Sequence, residues 1–162
     1  MGRMDMLSLS AHLPQVEFAA GETVVCEGGS TGGIWVLVSG ALQVRKDGVP
    51  VNTIDQPGAL IGEVSVLLGK PHGATVVTTS ASVMRHAADG AALLNSHPDI
   101  TRLVAVTLAE RLNFVTTYLA DLKHQYGDAP GLAMVQDVLA QLSQRQSSTA
   151  RPGSARDPQP DY

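Results

Sequence analysis

Residues 62–76 read Gly-Glu-Val-Ser-Val-Leu-Leu-Gly-Lys-Pro-His-Gly-Ala-Thr-Val, with one carboxylate, Glu63, and one imidazole, His72, either side of a short apolar run. The chemistry these residue types suit is the holding of an anion. Gly62 lets a strand end turn sharply, Glu63 opens a short turn of helix, and Gly69 with Pro71 stops that helix before a β-branched run restarts a strand. A helix start leaves amides without intrahelical partners, and a neighbouring glycine lets an anion come close to them. The same order of elements also occurs in plain core-packing connections, so the rest of the chain has to decide between the two. No nucleophile, base and orienter stand together, and the carboxylates have no distinctive pairing, so no enzyme is expected.

The elements that would position this stretch are short and β-rich. Val16 to Ala19 and Glu22 to Cys26 are separated by the turn pair Ala20-Gly21. The run Glu27 to Gly33 is a glycine-rich loop, followed by Ile34-Trp35-Val36-Leu37-Val38, which reads as a strand buried on both faces. Leu42 and Val44 alternate with Gln43 and Arg45, and Asp47-Gly48 is a two-residue hairpin signal before a strand over 49–55. Ala74 to Thr79 and Ser82 to His86 complete about eight strands. Their closeness and glycine-rich turns predict a mainly β fold with flanking helices, an eight-stranded antiparallel jelly roll. A metal-binding roll would need His-X-His with a further Glu and His; His72, His86, His97 and His124 have no such spacing, so no metal and no cofactor are expected.

Helices flank the roll. Met4 to Leu13 suits a short amphipathic helix with Met6 or Leu7 and Leu13 inward, ending at Pro14. Asp89 or Gly90 opens another through Leu94, and Pro98 sits at a natural first helical position of a long helix to about Tyr126. Along it Leu108, Leu112, Val115, Leu119, Leu122 and Tyr126 recur at alternating steps of four and three, a heptad seam that favours pairing with a second copy. Leu132, Val135, Val138 or Leu139, and Leu142 mark a further amphipathic helix. The expected organisation is an N-terminal helix over 1–15, the roll with its long helix over 16–126, a short helix over 127–146 and a tail over 147–162 too poor in apolar residues to fold.

Composition narrows the function. The chain of 162 residues is 44% hydrophobic and 16% charged with a formal charge of -4, and no Lys/Arg cluster offers a surface for nucleic acid. Its longest apolar run, Ile34 to Val38, is far short of the about 18 residues a membrane span needs. Met1 to Ser10 lacks the apolar core of a secretory signal, so a cytoplasmic protein is expected. The lone Cys26 cannot form an internal disulfide and reads as a small buried hydrophobe.

The stretch 62–76 resembles the phosphate-binding cassette of cyclic nucleotide-binding domains, in which Gly-Glu, a short helix, Gly, one residue, Pro-Arg, a small residue and Ala-Thr-Val follow in order. The run Gly28 to Gly40 is similar to that family's glycine loop and following strand, with Gly29 and Gly33 in place of acidic residues and Trp35 in place of Tyr. The resemblance covers about residues 16–126. It implies that Glu63 accepts from the ribose 2′-hydroxyl, that Gly62, Val64, Ser65 and Val66 supply backbone to the phosphate, and that positions 72 to 74 complete the cradle. Here His72 stands for the family's Arg, and Gly73, before Ala74, for its small hydroxyl or Ala residue. An Arg fork donates two parallel bonds and is always charged, whereas His offers one and is charged only when protonated. Hydrogen bonds to charged groups are worth about 1.5 to 3 kcal/mol each, so the substitution weakens binding by roughly ten- to a hundredfold.

The resemblance further makes the long helix a lid and dimer helix, with Thr116 where such lids touch the base and Val115 beside it. In activator-type members a helix like 132–142 leads into a DNA-recognition motif; here the chain runs into the tail, so DNA recognition is not expected and output passes to another protein or through a dimer. Two functions follow: a sensor binding cAMP, cGMP or a related phosphorylated ligand weakly and signalling through its C-terminal helix, or a degenerate, ligand-free dimerisation module.

Overall fold

A computed structural model describes residues 4–127, 129 and 131–145 of the chain; the expected tail over 147–162 lies outside the described residues. The chain divides into two units at Val104 and Ala105. In the first, eight short strands precede the long helix: β1 (Gln15–Phe18), β2 (Thr23–Val25), β3 (Ile34–Ser39), β4 (Leu42–Lys46), β5 (Val49–Ile54), β6 (Leu60–Ile61), β7 (Thr75–Thr78) and β8 (Ser82–Ala87). They form two four-stranded antiparallel sheets, ordered β1-β8-β3-β6 and β2-β7-β4-β5. Apart from the β4–β5 hairpin, consecutive strands thus lie in different sheets, as in a jelly roll.

The two inner faces meet in one core. Leu37 and Met84, paired across β3 and β8, face Leu42 and Val76 from β4 and β7, with Val25 and Ile61 closing the cluster. Trp35 packs at its margin, edge-on to Phe18 at 5.4 Å and stacked on His86 at 3.8 Å. Asp47 and Gly48 both adopt positive φ (51° and 76°), the geometry that matches a two-residue turn to the strand twist of the β4–β5 hairpin.

Helix α1 spans only Met6–Leu9, shorter than the expected 4–13. Asp5 caps its start, accepting from the Ser8 amide, and the turn is consumed by Ser10: its amide donates to the Met6 carbonyl and its hydroxyl to that of Leu7. The Leu7 carbonyl also accepts from the Arg85 guanidinium, so the chain folds onto β8 rather than continuing as helix. Cys26 corrects another expectation. It follows the end of β2 on the outer surface and is exposed, not buried.

Three further helices follow α1 in chain order, α2 (Glu63–Leu68), α3 (Gly90–Ser96) and α4 (Pro98–Tyr126). Asp89 caps α3 by accepting from Ala92 N–H at 2.9 Å. Ile100 and Val104 anchor the first turns of α4 in the first unit. The second unit holds the remainder of α4 and α5 (Ala133–Arg145). Along α4 the heptad positions divide: Leu112, Val115 and Tyr126 are exposed, and Leu108, Leu119 and Leu122 half-buried. No helix among the described residues is long and apolar enough to cross a membrane.

Candidate functional site

The stretch 62–76 folds as its glycines dictate. Gly62 ends β6 in the left-handed region (φ 93°) and caps α2, and a Cβ there would stand 2.5 Å from the Gly33 carbonyl oxygen. Both facts demand glycine. The amides of Glu63, Val64 and Ser65 form the first turn, which has no intrahelical acceptor. The Val66 amide, expected to serve an anion, is instead spent on the Gly62 carbonyl at 3.1 Å, because it closes that turn. Ser65 likewise commits its hydroxyl to the Lys70 carbonyl, and the Lys70 amide returns to the Ser65 carbonyl at 3.2 Å, leaving only the Ser65 N–H to the outside. Gly69 ends the helix in the left-handed conformation (φ 61°).

Burial in this stretch is the reverse of ordinary. Glu63 is 5% exposed and His72 6%, whereas Val64, Leu67 and Leu68 of the same helix face solvent, Leu68 at 62%. An amphipathic helix built for stability would turn its leucines in. His72 is held by the glycine loop: its amide donates to the Gly29 carbonyl and its carbonyl accepts from Gly28 N–H, both at 2.8 Å. Its Nε2 lies 3.1 Å from the Thr31 hydroxyl, and its Cε1 3.6 Å from where a Gly62 Cβ would be. The sites expected at 62–65 and at 72 therefore come together around the loop 28–33.

Gly73 is exposed, with open space where a side chain would begin, and its carbonyl accepts from Lys46 Nζ at 2.8 Å. Lys46 also reaches Glu27 at 3.4 Å. The Asp47 amide, donating to Glu27 at 3.0 Å, holds that carboxyl below its usual range, with Lys46 contributing less. Ala74 is half-buried at the entrance to β7. Thr116 and Val115 lie on α4 in the second unit, Thr116 half-buried and Val115 exposed. On the other flank of the glycine loop, burial lowers the proton affinity of His86 where it stacks on Trp35. Gly90 joins the parts: its amide donates to the Gly32 carbonyl at 2.8 Å, and a Cβ there would press on Ile34, Gly32 and Val66 within 3 Å.

Sequence reading passed over Thr31, Lys46 and Glu27, whose bonds to residues 72, 73 and 47 cross between strands and loops. A hydroxyl inside a glycine-rich loop was the one local signal for Thr31. It also passed over Phe114 and Tyr118, aromatics one helical turn apart on α4 and both exposed, Phe114 at 71%. No group of three or more His, Cys, Asp or Glu side chains among the described residues could hold a metal ion.

A family model described as the cyclic nucleotide-binding domain matches residues 15–94, the span of the roll, its cassette and α3. Residues 15–94 belong to the cyclic nucleotide-binding domain family. Among curated relatives, a cAMP-dependent protein kinase regulatory subunit of Yarrowia lipolytica is 32% identical over 77 residues, 48% of this chain and 20% of that protein. A CRP-like cAMP-activated global transcriptional regulator of Mycobacterium tuberculosis is 31% identical over 145 residues, 85% of this chain and 62% of that one. The chain thus spans a fifth of one relative's length and about three fifths of the other's. Among solved structures, the catabolite activator protein of Thermus thermophilus superposes with a TM-score of 0.57 at 19% identity, covering 91% of this chain and 87% of that one. That likeness bears on the fold. The matched span contains both the stretch 62–76 and the loop 28–33 described above.

Proposed function

We propose that this domain is a regulatory sensor that binds a cyclic nucleotide, cAMP or cGMP, or a related phosphorylated ligand, weakly, and signals through α4. The observation that carries the reading is the inverted burial of the cassette. A carboxylate and an imidazole are drawn inside while three apolar side chains of the same six-residue helix stay out, an arrangement that suits a polar ligand. In this reading the amides of Glu63, Val64 and Ser65 and the ring of His72 hold the phosphate, Glu63 accepts from the ribose hydroxyl, and Gly62, Gly73 and Ala74 leave room. The ligand moves α4 only so far as it binds one arrangement better than another. The heptad positions Leu108, Leu112, Val115, Leu119 and Leu122, of which Leu112 and Val115 are exposed, support a homodimer as the form that acts on an effector protein.

Titration calorimetry with cAMP and cGMP tests this. Wild type gives saturable heats, Glu63→Ala abolishes them, and His72→Arg tightens binding by roughly ten- to a hundredfold. A ligand-free dimerisation module is the second reading, favoured by the bond that already occupies Nε2 of His72. Silence of the wild type, with binding gained by His72→Arg, would select it.

A further inference from the structure

His72 has three groups that the fold can use besides its second ring nitrogen, and it uses all three: backbone N–H, backbone carbonyl and Nε2. Nδ1 has no partner among the described residues. It is not sealed either, since the one sealed side-chain nitrogen or oxygen there without a partner is Nε of Arg85. A residue only 6% exposed therefore keeps one ring nitrogen facing accessible space, on the edge whose Cε1 borders Gly62. A neutral imidazole has a single N–H, and which nitrogen carries it is set by what the other one meets. If Nε2 held the proton, Nδ1 would present a lone pair and repel an anion. A hydroxyl at Nε2 removes that conflict, because it rotates to donate as readily as to accept.

We propose that Thr31 is a positioning residue for the ligand site: its hydroxyl donates to Nε2 of His72, so that the ring's proton sits on Nδ1 and points at the bound phosphate. The proposal rests on the cyclic nucleotide reading for its ligand, while its effect on the ring is a property of the free protein. It gives the glycine loop a task beyond turning the chain. The neutral ring becomes a donor of fixed direction, and an arriving phosphodiester finds a hydrogen bond without first ionising its partner. Protonation then strengthens a contact that already exists.

Two readouts test it. Long-range nitrogen–proton correlation of the His72 ring in the ligand-free chain is expected to show Nδ1 protonated and Nε2 as a bare acceptor. Thr31→Val, of nearly the same shape, takes away the donor to Nε2 and so loses the shift that marks Nε2 as a hydrogen-bonded acceptor, and Thr31→Ser restores the wild-type signature. Calorimetry with cAMP then shows Thr31→Val weakened about tenfold, the worth of one hydrogen bond to a charged group, with Thr31→Ser close to wild type. A wild-type ring protonated on Nε2, or a Thr31→Val chain that binds cAMP as tightly as wild type, overturns the proposal. If cAMP and cGMP do not bind at all, the function proposed above falls, and the ring signature still decides the role of Thr31.

Discussion

The core of the roll and its cassette obey opposite rules. Between the sheets, Leu37, Leu42 and Met84 are wholly withdrawn from water, and polar side chains that join them, such as Thr78, are hydrogen-bonded to neighbouring carbonyls. In the cassette, Glu63 and His72 go in, and Val64, Leu67 and Leu68 stay out. The core positions Val25, Leu37, Leu42, Ile61, Val76 and Met84 accept other apolar residues of similar volume and still pack. The cassette has no such freedom, since its burial pattern is set by where polar atoms must be. The difference separates a frame held by apolar packing from the short helix with the loop 28–33, the part that departs from the rules of stable folding.

Substitutions in the two regions should separate along the same line. Leu37→Ala is expected to have the largest effect on stability, lowering it by about 2 to 5 kcal/mol, because the side chain is fully buried and its cavity cannot collapse between two sheets. Urea unfolding monitored by Trp35 fluorescence checks it. Equal loss of nucleotide affinity in the folded fraction would blur the distinction drawn here. Gly62→Ala comes next, at about 1 to 3 kcal/mol from the left-handed backbone alone. The added methyl would also drive Gly33 away, so affinity for cAMP should fall further than stability does.

Leu68→Lys should change stability by no more than about 0.5 kcal/mol, since it replaces an exposed side chain. A large loss would mean that the apolar face of α2 is covered in solution. Leu112→Glu tests the other open apolar surface: light scattering should show a dimer for wild type and a monomer for the variant, and a wild-type monomer unchanged by the substitution removes the seam from the account. His86→Phe has the smallest effect and is confined to acid. Burial holds the folded-state value below the unfolded one of about 6.5, so the unfolded chain binds the proton first, and stability falls as pH drops below that value. Above it the variant and wild type should run parallel, and below it the wild type alone should lose this increment, measured by denaturation at a series of pH values.

What could be read from the sequence was whatever a few neighbouring residues decide. Asp47-Gly48 imposes its turn locally, Gly62 and Gly69 bracket α2 through their own dihedral angles, and Pro98 starts α4 because its missing amide is no loss there. The strands followed from alternation, and the jelly roll from their number and spacing. Local pattern could not reveal a bond from Thr31 to His72, 41 residues apart, because the loop reaches residue 72 only after β3 and β7 have taken places in different sheets. Nor could it end α1 at Leu9, which depends on Arg85 in β8 taking the Leu7 carbonyl. Cys26 was misjudged for a related reason. A small thiol after two valines looks like core, but β2 ends at Val25 and the next residue turns outward.

Retention of labelled cAMP by the full chain in equilibrium dialysis, with unlabelled cAMP and linear 5′-AMP as competitors, tests the central claim most directly. The account predicts saturable uptake at one site per chain that cyclic nucleotide displaces and the linear monophosphate displaces poorly. No retention at any concentration, or equal displacement by both competitors, would contradict it.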